Sequence, residues 1–164
     1  MAYTVSTIIG AQPIEETSTT QRHPIGTIVR GTDPTYGEAE FIYLLGVAST
    51  AVGSIVTWAG STGATTLCAV GGNKGEPVAV AMSANVASQW GWYQISGIAV
   101  CKKTCTISLA ANAAVGVLTT GLVAGTGSGK QILGAQVAAV ASATAGRTTV
   151  LVNINRPAKQ GRVS

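Results

Sequence analysis

The stretch GEAEFIYLLGV, residues 37–47, decides the fold. Phe41, Ile42, Tyr43, Leu44 and Leu45 follow one another without a polar residue. In an extended chain successive side chains point to opposite faces, so both faces of this strand are apolar. Such a strand has to be covered twice. The second cover is either another sheet or another chain, and the sequence leaves the two open.

On either side of this run the chain reads as short strands separated by turn clusters. GTIVRG precedes it, with GTDPTYGE as the turn. VGSIVTW, TTLCAV and VAVAMS follow, divided by AGSTGA and GGNKGEP. ANVASQWG suits one helical turn and leads into WYQISGIAV. In TCTISLA the alternation is regular, with Thr104, Thr106 and Ser108 on one face and Cys105, Ile107 and Leu109 on the other. GVLTTGLV, QILGAQVAAVASA and RTTVLVNI complete the set, and the alanines of 131–144 suit a helix as well as a strand. Strands at regular spacing with Gly-rich turns predict an all-β fold, a compact sandwich or barrel of jelly-roll type.

Three segments are expected. Residues 1–25 contain the polar stretch AQPIEETSTTQRHP and read as an extended N-terminal arm rather than a packed element. Residues 26–157 form the β domain, and 158–164 a short basic tail. At 164 residues the chain suits one domain with a real core.

Only 10% of residues are charged, against about a quarter in ordinary soluble proteins. The mean hydropathy of +0.38 raises the question of a membrane. Residues 41–73 and 104–129 carry no charge, yet Gly, Ser and Thr interrupt both, and neither suits a spanning helix. The start, MAYTVSTIIGAQPIEE, has no basic region followed by a long apolar one, so synthesis in the cytoplasm is expected, with no membrane partner. A surface this poor in charge is covered by partner subunits or is a neutral Thr/Ser/Asn surface.

The net charge of +4 is uneven. All six acids, Glu15, Glu16, Asp33, Glu38, Glu40 and Glu76, lie in the first half. The basic end NRPAKQGRVS has no aromatic and basic stripe beside it, so direct nucleic-acid binding is not expected.

The stretch GLVAGTGSGKQILG, residues 121–134, imitates a phosphate-binding loop. Gly129 and Lys130 match that motif, but Ala124 stands where its first glycine belongs and Gln131 replaces the magnesium-binding hydroxyl. No acid follows Lys130, and a flexible hairpin tip is the expectation. His23 lies beside Pro24 with nothing to orient it as a base. Asp33, Glu38 and Glu40 are too few and too widely spaced for a calcium loop, and turn or solvated-strand roles are favoured. Cys68, Cys101 and Cys105 lack zinc spacing and are expected as free thiols. No catalytic residue, cofactor or metal is assigned, and an enzyme is not expected.

Trp90 and Trp92 flank Gly91 in an otherwise aromatic-poor chain. They are core anchors or, for one of them, a subunit contact. In order, the segments RGTDPTYGEAEFIYLLGVASTAVGSIVTW, PVAVAMSANVASQWGWYQISGIAV and VLVNINRP resemble the small head decoration (cement) proteins of tailed bacteriophages. The resemblance spans most of residues 25–157. It implies a virion structural protein that binds the outside of the assembled head and stabilises it. The partners it implies are the major capsid protein and further copies in a symmetric oligomer, a dimer or trimer. The alternative is a receptor- or glycan-binding module of a tail or fibre. Candidate partner contacts are Ile14 and Arg22 in the arm, Arg30, Tyr36, Trp90 and Trp92 in the domain, and Arg156 near its end. The CKKTC segment and the GTGSGK loop have no counterpart in the resemblance.

Overall fold

A computed structural model describes residues 4–5, 10–71, 74–104, 106–143, 146 and 148–161. Eleven antiparallel strands and no helix occur among them, arranged as a compact sandwich that does not close into a barrel. The strands are β1 (Thr4–Val5), β2 (Ile28–Asp33), β3 (Gly37–Leu45), β4 (Ile55–Trp58), β5 (Thr65–Leu67), β6 (Val78–Ala81), β7 (Trp90–Lys102), β8 (Ala114–Thr119), β9 (Leu122–Gly125), β10 (Gln131–Val137) and β11 (Thr149–Lys159). The long path runs β1-β2-β3-β7-β11-β10-β8-β9, while β5, β4 and β6 form a smaller group joined to β7 through β6.

The thirteen-residue β7 is the spine. One edge pairs with β3, from Leu45 opposite Trp90 to Glu40 opposite Ser96. The other edge pairs first with β6 at Tyr93 and Gln94, then with β11 from Ser96 to Lys102. The handover falls at a β-bulge, where Ile95 is the extra residue between Gln94 and Ser96. Gln94 is fully buried, and its Nε2 donates to the carbonyls of Ser96 and Ile98, both at 3.1 Å. Gly97 takes φ +96°, and a Cβ there would sit 2.6 Å from the Glu38 carbonyl.

This strand arrangement settles the cover of β3. Ile42 and Leu44 pack with Tyr93 and Ile95 against Val56, Ala79 and Ala81 of the β4–β6 group. Phe41 and Tyr43 face the other way, into Val29, Met82, Trp92 and Ile14. Both covers come from the chain itself. A third cluster fills the curl of the second half, uniting Ala99 and Cys101 with Val117, Val123, Ile132 and Val152. The curl brings β9 back to the end of β7, where Val123 bridges Lys103.

Three expectations are corrected. The segment 1–25, though extended, is packed where it is described. Ile14 is 2% exposed, the Trp92 Nε1–H donates to the Gln12 carbonyl at 3.1 Å, and Ser18 bridges Trp90 through two backbone hydrogen bonds. TCTISLA is not a strand. Lys103 is 2% exposed, and its Nζ donates to the carbonyls of Thr104, Ile107 and Ser142 at 3.0–3.2 Å, so the chain winds around a buried ammonium. Cys105, assigned to one face of that strand, lies outside the described residues. The glycine-rich loop is not a hairpin tip, because β9 and β10 lie on opposite edges of β8. The loop therefore crosses β8 over Gly116, where a Cβ would meet the Gly125 carbonyl and the Thr126 Cα at 2.8 Å.

Residues 131–137 resolve as strand, and ANVASQWG forms a loop around the buried Asn85 over 84–89 before entering β7, rather than a helical turn. β11 runs on through Ala158 and Lys159, which composition assigns to the tail.

Gly97→Ala should cost about 3 kcal/mol, because it adds a clash to an unfavourable φ, whereas Gly129→Ala, with φ +65° but open space, should cost about 1 kcal/mol. Urea unfolding of the two variants checks the difference; equal costs would contradict it. Deleting residues 1–23 should lower the thermal midpoint by roughly ten degrees, since removing a buried Ile alone costs about 2–4 kcal/mol. A midpoint unchanged within two or three degrees would show that the arm's packing is dispensable.

Candidate functional site

Beyond the bulge, β7 turns Ser96, Ile98, Val100 and Lys102 away from the core while Ala99 and Cys101 point into it. The register places Asn155, Asn153, Leu151 and Thr149 of β11 beside them. Glu40 lies opposite Ser96 on β3, and Arg30 opposite Glu40 on β2. These residues make one outer sheet face. Its centre is apolar, with Ile98, Val100 and Leu151 half-buried and Val140 at its margin 73% exposed. Three shallow depressions mark it. One is lined by Arg30, Glu38, Glu40, Ser96, Asn155 and Arg156, a second by Gln136, Asn153 and Asn155 among others, and a third by Tyr36, Val100, Val140 and Leu151 among others.

Local chemistry positions the polar rim. Asp33 Oδ1 accepts the amides of Thr35 at 2.8 Å and Tyr36 at 3.0 Å, which fixes the β2–β3 turn and aims Tyr36 at the face. On β11, residues 155–157 bulge opposite Gly134 of β10. Arg156 consequently takes φ +45°, a left-handed conformation that costs a side-chain-bearing residue about 1–3 kcal/mol. Glu40 receives both arginines, with Arg30 Nη2 3.2 Å from Oε1 and Arg156 Nη2 3.0 Å from Oε2. Both guanidinium side chains are more than 60% exposed, so each pair contributes at most about 1 kcal/mol and serves to orient.

Of the candidate partner contacts, Arg30, Tyr36 and Arg156 converge on this face. Ile14 and Trp92 do not. Both are buried beneath the arm, and as partner contacts they are corrected to core anchors. Trp90 is partly buried on the arm side, stacked 6.1 Å from Tyr43. Arg22 is exposed there, and its backbone amide donates to the Tyr43 hydroxyl at 3.2 Å. His23 stands over the same cluster, its ring centroid 5.1 Å from that of Tyr43 and 5.4 Å from that of Trp92, a packing role. The half-buried Ile98, Val100 and Leu151 are the members of the face that sequence reading passes over.

The titratable groups carry no assembled chemistry. Among the described residues no three His, Cys, Asp or Glu side chains come together as a metal site, and no helix is long and apolar enough to cross a membrane. Cys68 and Cys101 are free and buried. Burial pushes the Cys68 thiol up to about 11, with Lys159 nearby pulling down and Glu76 pushing up, and pushes Cys101 to about 12. Neither is a thiolate nucleophile at neutral pH.

No protein-family model matches the chain, and no curated protein matches it.

The thiols make stability pH-dependent. A raised folded value means that the native state holds its protons while the unfolded chain loses them above the ordinary value of 9.0. The contribution is complete below that pH and is lost as pH rises towards about 11 for Cys68 and about 12 for Cys101. Cys101→Val should flatten this alkaline loss in urea unfolding, and both thiols should alkylate slowly until the protein unfolds. An alkaline limb unchanged in the variant would contradict the assignment.

Proposed function

We propose that this chain is a decoration protein of a tailed-bacteriophage head, a non-enzymatic virion component that binds the outer surface of the assembled shell and stabilises it. The observation that carries the reading is the outer face of β3, β7, β11 and β10, an open surface with an apolar centre and a rim of arginine, glutamate and amide side chains. That is the anatomy of a protein interface rather than of a substrate cavity. The two segments richest in the resemblance, GEAEFIYLLGV and GWYQISGIAV, lie in the paired strands β3 and β7 and contribute Glu38, Glu40, Ser96, Ile98 and Val100 to this face. The major capsid protein is the partner, the chain acts as a symmetric oligomer, and its place is the capsid exterior after synthesis in the host cytoplasm.

A ligand that binds only the closed shell stabilises it by RT ln(1 + [L]/Kd), about 2.7 kcal/mol per site at a hundredfold excess over Kd. Repetition over many sites turns modest affinity into mechanical resistance. The reading as a tail or fibre glycan-binding module calls for exposed aromatic platforms. Among the described residues, none of the large exposed hydrophobic side chains is aromatic, and Phe41, Tyr43, Trp92 and Tyr93 are core.

Heads lacking the protein should release DNA at lower temperature and under gentler osmotic shock, and added purified protein should restore them. Particle reconstructions should place it on the head. Location on the tail or fibres alone, or heads equally robust without it, would overturn the proposal.

A further inference from the structure

We propose that Arg156 is the specificity-determining contact of the outer face, its guanidinium donating to main-chain carbonyls of the capsid subunit that docks there. This rests on the decoration reading and deepens it, naming one residue and the chemistry that it recognises.

The first observation is a strained backbone whose side chain the fold does not need. Among the described residues Ser49, Ser88, Asn112 and Arg156 take positive φ without being glycine. The first three lie in turns. Arg156 lies inside a strand, and Pro157 after it favours extended backbone at its position. Glycine fits such a φ without strain, and Gly134 across the bulge has φ +71°. The contacts of Arg156 within the chain offset its strain little. Its side chain is 62% exposed, and its hydrogen bond from Nη2 to Glu40 Oε2, 3.0 Å long, belongs to an exposed ion pair. Strain of this kind concentrates at ligand clamps.

The second observation is the setting of the guanidinium. Glu40 is 17% exposed and holds Arg30 on Oε1 and Arg156 on Oε2, which fixes the direction of both forks. A guanidinium carries five N–H donors, and Arg156 uses one of them on a described residue. Glu38, Ser96 and Asn155 line the same depression. Two arginines and two glutamates cancel there, so the depression selects neither an acid nor a base. It presents donors on the guanidinium groups and acceptors on the Glu38 carboxylate. A peptide main chain, uncharged and carrying both C=O and N–H, answers both.

Co-sedimentation of the purified full chain with heads lacking it tests this, using Arg156→Gly, Arg156→Asn and Arg156→Lys. Gly and Asn accept positive φ, so both variants should keep the thermal midpoint within about three degrees or raise it. Both should nevertheless bind heads about tenfold more weakly. Arg156→Lys keeps the charge without the planar fork and should lose binding to a similar extent. Between about 50 and 500 mM salt the affinity of the unaltered chain should change by less than about threefold, since no net charge steers the contact. Full binding by the Gly or the Lys variant would overturn the inference, and so would a loss of more than about tenfold across that salt range, which marks an acidic partner. In each of these cases the unaltered chain still binds heads and the decoration reading stands. An unaltered chain that does not bind heads would remove both.

Discussion

The bulge at Ile95 is the constraint on which the rest of the structure depends. A single strand, β7, has to serve a sheet closed by β6 on one half and a sheet closed by β11 on the other. The exchange of neighbours requires an interruption in the ladder, and an interruption exposes backbone carbonyls that burial makes costly. Gln94 resolves this by lending its side-chain amide to the carbonyls of Ser96 and Ile98. Gly97 resolves the steric half, since only a residue without a Cβ fits against the Glu38 carbonyl at positive φ. The same offset turns Ser96, Ile98, Val100 and Lys102 outward. The device that lets two layers share a strand thus also builds the exposed face.

The two-sided run in β3 illustrates what patterning conveys and what it omits. Five consecutive apolar residues announce that both faces are covered, and they are. Which element does the covering is a long-range matter, carried by Ile14 on one side and by Val56 and Ala79 on the other, far along the chain. The arm is illegible for a related reason. Its sequence is polar and aperiodic, yet a few contacts, among them Ile14 in the core and Gln12 hydrogen-bonded to Trp92, tie it down. TCTISLA misleads because its alternation is real while its organising group, the Lys103 ammonium, lies just before it and donates to the backbone carbonyls of Thr104, Ile107 and Ser142. Only a lysine beside an uncharged stretch hints at that. The loop at 126–130 is legible in its glycines but not in its path, since the strand order that forces it across β8 is set by pairing elsewhere.

The outer face was partly readable. Arg30, Tyr36 and Arg156 stand out in sequence as polar or aromatic residues in strands and turns, but their convergence on Glu40 and on the Val100–Leu151 strip depends on strand order. Ile98, Val100 and Leu151 look like core in any alternation count, because β7 changes what its two faces meet midway along its length. The paucity of charge acquires a local meaning here. Apolar surface is concentrated where a rim of both signs can orient a partner, which favours a specific contact over general stickiness.

Whether that face is the working surface of the protein is best decided by hydroxyl-radical footprinting of the chain free in dilute solution and bound to heads. Tyr36, Ile98 and Leu151 should lose labelling on the particles, while Ile25 and Val86, exposed near the Leu45 and Trp90 end of the β3–β7 pair, keep theirs. Unchanged labelling of the outer face, with protection appearing at Ile25 and Val86 instead, would contradict the account.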